Sequence, residues 1–172
     1  MKNLITIFFI LCVNSVHSQV NSSSYDTKKI IIRNTTDYEV VNLINAVNEV
    51  LNLEGVTIFV KRMPETKLQK GYIITSDNKY GSVIQANKKV YFLMLRDNLE
   101  TSFINKVIIH ELSHIIQMEN GDLIMNHNSN IVIWKGIEYN INKVKHNFQK
   151  WEIDAREKEK NIIDYLKAKS LL

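Results

Sequence analysis

The sequence predicts an α+β chain in which a small, mostly antiparallel sheet packs on three helices. Three observations carry that expectation. Apolar residues recur at helical spacing in stretches near residues 36–55, 98–118 and 149–171. Between the first two, short runs rich in β-branched and aromatic residues alternate with polar breaks. With one proline and 45% hydrophobic residues among 172, most of the chain can form packed regular structure, and the length suits one domain with a substantial core.

The N-terminal run "MKNLITIFFILCVNSVHSQV" is set apart from the fold. Lys2 is a short positive start, Leu4 to Val13 is apolar but too short to span a bilayer as a helix, and Val16-His17-Ser18 offers cleavage positions. We therefore expect residues 1–18 to be a signal peptide cut after Ser18, and residues 19–172 to be one exported domain, secreted or periplasmic, with no stable membrane anchor after cleavage. Cys12 is the one cysteine, so disulfides are not expected in the mature domain and metal ligands must come from histidine and carboxylate. Loss of Lys2 with the leader leaves 21 basic against 18 acidic side chains, a balance of +3. That charge is too mild, and too scattered, to point to nucleic acid.

After a polar lead-in, "IIIR" reads as a first strand. A helix follows from near Thr36, where Thr36 and Glu39 have capping-box spacing; Val40, Val41, Ile44, Val47, Val50 and Leu51 form its apolar face, and Gly55 is its expected stop. "VTIFV", "GYIIT", "GSVIQA" and "VYFLML" read as strands, the last two paired as a hairpin across Asn87-Lys88-Lys89. Polar residues from Asn98 to Ser102 cap an apolar helix that runs through Met118 and stops at Asn120-Gly121. "LIMN", "NIVIWKG" and "IEYNI" read as short strands or a structured loop. A last helix, from about Gln149 to Leu171, carries Trp151, Ala155, Ile162 and Leu166 on one side, with "REKEK" as a solvated face.

The second helix contains "HELSH". Residues four apart on a helix point the same way, so His110 and His114 can offer their imidazoles to one Zn2+ ion. Glu111 points to a neighbouring sector, where a carboxylate serves as general base toward a water polarised by the metal. Val107, Ile108, Leu112, Ile115 and Ile116 bury this segment, and a metal offsets the cost of burying two imidazoles and a carboxylate. A catalytic zinc needs a third protein ligand, and Glu119, His127, Glu138, His146 and Glu152 are the downstream candidates. Gln117 and Asn120 stand where the metzincin pattern requires glycine and histidine, which excludes that group.

Glu152, in "KWEIDAREKEK", lies 38 positions after His114 and is followed by Ala155. Here the chain resembles the gluzincin-type HExxH metallopeptidases, in which a glutamate on a later helix, inside an E-x-x-A pattern, completes the zinc site. More faintly, "VIWKGIEY" before "WEIDA" is similar to small SprT-like bacterial metallopeptidases. The resemblance spans roughly Val83 to Ala155. It implies a minimal zincin-like fold, Glu152 as third ligand with His146 and His127 as alternatives, and a peptide or protein substrate. The departure is Arg156, where several gluzincins carry an acidic residue that supports a zinc-bound histidine. In this fold class a sheet edge beside the active-site helix pairs with extended substrate, and "GSVIQA" or "VYFLML" is the candidate edge. Tyr139 and His146 are candidate oxyanion donors, and Trp134 and Trp151 are read as packing anchors. The rival expectation is a zinc-stapled binding or inhibitory module that cleaves nothing.

Overall fold

The computed structural model describes residues 30–63, 80–97, 99–125 and 129–172. The expected leader at 1–18, the strand "GYIIT" and His127 lie outside the described residues. The described chain is α+β, as the periodicities predict. In order it forms β1 (Ile31–Arg33), α1 (Tyr38–Leu51), β2 (Thr57–Met63), β3 (Gly81–Asn87), β4 (Val90–Arg96), α2 (Thr101–Glu119), β5 (Leu123–Met125), β6 (Ile131–Trp134), β7 (Ile137–Asn140) and α3 (Lys150–Ala168). Two short 3-10 turns, Ile141–Lys143 and His146–Phe148, link β7 to α3. No helix among the described residues is long and apolar enough to cross a membrane.

The strands divide into two sheets. One has the order β1-β2-β4-β3 and the other β5-β6-β7. Three of the five pairings are antiparallel, but β1–β2 and β2–β4 are parallel, so the larger sheet is mixed. For β1–β2 the reason is connectivity: α1 carries the chain from β1 back to the start of β2, and a helical crossover returns a strand in parallel. The β3–β4 hairpin forms as expected, with Asn87 opposite Val90 and Lys89 at φ 58 in the tight turn. It leaves β3 at the edge among the described strands and β4 inside, which decides between the two candidate edges.

Helix ends shift slightly from the sequence reading. Asp37, not Thr36, caps α1, its carboxylate accepting from the backbone N–H of Glu39 and Val40. The helix stops at Asn52, which takes the left-handed conformation at φ 53, so Gly55 serves the following turn instead. Leu43 joins Val40, Ile44 and Val47 in the buried face, while Val50 is exposed. Helix α2 ends at Glu119 as expected, with Gly121 at φ 72 just beyond.

One hydrophobic core joins these parts. Tyr91, Leu93 and Leu95 on β4 and Ile108, Ile109, Leu112 and Ile115 on α2 are fully buried. Helix α2 lies on β3 and β4, with α1 and α3 packed against it. Ala155, fully buried on α3, keeps that contact close, since a methyl group leaves room for the two backbones to approach. Trp134 and Trp151 are buried anchors as read, with Tyr139 edge-on to Trp151 at 6.1 Å between ring centroids.

Candidate metal centre

Helix α2 sets the first half of the site. Its 19 residues are apolar on most sides, so burial against β4, α1 and α3 fixes its rotation and aims His110 and His114 at α3. The two rings lie 4.9 Å apart, nearly perpendicular. Glu152, in the first turn of α3, meets both: His110 Nε2 is 3.2 Å from Glu152 Oε2, and His114 Nε2 is 3.3 Å from Glu152 Oε1. One ligand atom from each of His110, His114 and Glu152 falls within 4.8 Å of the others. This group can hold a metal ion.

The chemistry of the donors fits such an ion. Two imidazole nitrogens and a carboxylate are donors that zinc accepts, and each imidazole faces a different oxygen of Glu152. The site also demands positive charge. Burial alone would lower the pKa of His110, but hydrogen bonds to Glu152 and Glu159 and the charge of Glu111 outweigh it and push it up to about 10. His114 is likewise raised against its burial, chiefly by the Glu152 charge. Glu152, though desolvated, is held far below the usual carboxylate range by the imidazoles around it. A divalent cation would meet the same demand for positive charge.

Both ligand rings are held from behind. His110 Nδ1 lies 3.0 Å from Glu159 Oε2, and Lys106 Nζ stands 3.6 Å from Glu159 Oε1. His114 Nδ1 lies 2.8 Å from Gln117 Oε1. Glu159 corrects the reading of "REKEK" as a wholly solvated face: it is buried, seven residues and so two turns after Glu152, on the face shared with Ala155, Ile162 and Leu166. A carboxylate at that spacing from the third ligand was the signal available in the sequence. Arg156 does not pair with Glu152; its guanidinium donates to the carbonyl of Asn147.

Glu111 is buried beside this cluster, and desolvation raises its pKa although the charges of His114 and His110 pull it down. It lines an open cleft of about 210 Å³ together with Tyr80, Phe103, His110 and His146. His146 Nε2 touches Glu152 Oε1 at 3.2 Å, but the converging donor set is His110, His114 and Glu152. Tyr139 does not line the cleft and packs on Trp151 instead. Of the other ligand candidates, Glu119 turns away to accept a hydrogen bond from the buried Tyr91 hydroxyl at 2.5 Å, and Glu138 is exposed on β7.

The edge strand meets the same cleft. At Gly81 an added Cβ would lie 2.5 Å from Val107 Cγ1 and 3.4 Å from Glu111 Oε1, so glycine is what lets β3 run against α2 at the catalytic candidate. Compared with protein-family models, curated proteins and solved structures, the chain finds no match.

Proposed function

We propose that the chain is an exported zinc-dependent peptide hydrolase of the gluzincin type. The observation that carries this reading is the convergence of His110 and His114 on Glu152, with Glu111 buried at their side in a cleft open to solvent. His110, His114 and Glu152 would hold the zinc. When bound, zinc supplies Lewis acidity, lowering the pKa of a water to about 7 and polarising a carbonyl.

Glu111 takes the proton from the attacking water and delivers it to the leaving amine nitrogen. Its desolvated carboxylate is suited to this, because burial raises its affinity for a proton. His146 lines the same cleft and serves as donor toward the carbonyl oxygen as negative charge develops there. An extended peptide is bound by adding to β3, the edge among the described strands, which passes Glu111 at Gly81. Tyr80 and Phe103, packed edge to face at 4.6 Å and each partly exposed, give the cleft an aromatic wall for a substrate side chain.

The test begins with metal stoichiometry on the purified mature chain, followed by hydrolysis of a peptide library with and without chelator. One zinc per chain and chelator-sensitive cleavage are the expected results. Zinc uptake without cleavage of any peptide would replace the hydrolase with a silent zinc-stapled binding module, and absence of metal uptake would end both readings.

A further inference from the structure

Gln117, the residue that breaks the metzincin pattern, has a second property: it is fully buried and joins the two helices that build the metal centre. Its Oε1 is 2.8 Å from His114 Nδ1. Its Nε2 donates to the Trp151 carbonyl at 2.8 Å and to Asp154 Oδ2 at 2.7 Å, both in the first turns of α3. Turned over, the amide would set its oxygen against a carbonyl and a carboxylate with no proton between them. Asp154 is itself held by the Lys158 ammonium one turn on. The amide therefore has one allowed orientation, with oxygen toward His114.

We propose that Gln117 is a one-way clamp that fixes His114 for metal binding. Because Oε1 can only accept, His114 Nδ1 carries a proton, so the nitrogen that can give up its proton to an ion is Nε2, the one facing Glu152. The same amide ties the turn that carries Glu152 to α2, so the orientation of one ligand and the position of another are set together before an ion arrives. Gln117 is thus a positioning residue, and this role rests on the proposed metal site.

The test uses the full mature chain and zinc alone. Long-range proton–nitrogen NMR of the zinc-loaded protein is expected to show zinc on Nε2 of His114 and a slowly exchanging proton on Nδ1. Gln117→Met keeps the volume and removes the acceptor; its zinc affinity, read by competition with a chromophoric chelator, is expected to fall about 10–100-fold, with loss of the slow Nδ1 proton. Gln117→Glu keeps an acceptor toward Nδ1 but loses both donors to α3, so the Nδ1 proton should persist while the melting temperature falls. Zinc on Nδ1 of His114 in the wild-type protein overturns the clamp whether or not the variants fold. So does a folded Gln117→Met chain with unchanged affinity. Failure of the wild type to take up zinc overturns the metal reading itself and the clamp with it, a result distinct from the other two.

Discussion

The two helices that meet at the metal centre are equal in length and opposite in character. In α2, eleven of 19 residues are buried, so its polar members, His110, Glu111, Ser113, His114 and Gln117, stand out against hydrocarbon. In α3 only six are buried, and Glu152 and Glu159 are two acids among several charged neighbours. A buried polar residue on an apolar helix must be satisfied by something, which makes its chemistry visible in one dimension. On a mostly charged helix, the same residue type is invisible until packing shows which copies face inward. The α2 side thus announces the chemistry, and the α3 side supplies Glu152, which completes a group that could hold a metal ion, and Glu159 behind His110.

The largest effect expected from this contrast is on α2. Glu111→Gln should cut peptide hydrolysis by at least about 10²–10⁴-fold while zinc content, measured by elemental analysis, stays at the wild-type level. Normal turnover in that variant would remove the general base from α2 and break the division of labour.

On α3, Glu152→Ala should lose zinc affinity by more than the 10–100-fold typical of a residue that merely supports a ligand, because it removes a donor atom and leaves two imidazoles facing a void. Glu159→Gln is the finer probe. It keeps an acceptor for His110 Nδ1 but removes the charge, and a drop of about 10-fold in zinc affinity is expected, near the lower end of that range. Equal losses for both would mean that α3 contributes charge and not coordination.

The pH response separates metal from proton. In the metal-free protein His110 holds its proton up to about pH 10, above its ordinary value of 6.5. Zinc must displace that proton, so its affinity should rise with pH up to that point, by about tenfold per unit for each proton released. Stability of the metal-free form runs the other way. A group whose pKa is higher folded than unfolded stabilises fully below the unfolded value, and that contribution disappears as pH rises from about 6.5 to about 10. Melting curves at pH 6 and pH 9.5, with and without zinc, should separate as pH rises, because the metal-free form loses the His110 contribution and the zinc-loaded form does not; equal losses in both would contradict the placement of His110 between two carboxylates.

The smallest effect concerns the seam between β3 and α2. Gly81→Ala would drive a methyl group to 2.5 Å from Val107 Cγ1, and a β-branched side chain has little freedom to yield. A cost of about 1–3 kcal/mol is expected for such overpacking, which at this chain size lowers the melting temperature by about 2–4 °C per kcal/mol. Unchanged melting would mean that β3 is looser against the helix than the contact distance implies.

Periodicity placed the three described helices and the β3–β4 hairpin, because each depends on neighbours a few residues apart. The pairing of β2 with β4, the split into two sheets and the burial of Glu159 depend on residues brought together from far along the chain. Arg156 shows the limit well. Four residues after Glu152 it stands at the spacing of a helical ion pair, yet the backbone carbonyl of Asn147 is where its guanidinium goes.

What the sequence settled alone was the α+β class and the helix that carries His110, Glu111 and His114, both consequences of local spacing. Glu152 rested on a resemblance, with His146 and His127 as alternatives. Only the folded chain decided that β3 is an edge among the described strands, that Glu159 and Gln117 stand behind the two imidazoles, and that Tyr139 packs away from the cleft. Those are matters of which surfaces meet across the core, and the close packing of α2 between the sheet and α3 is what resolves them.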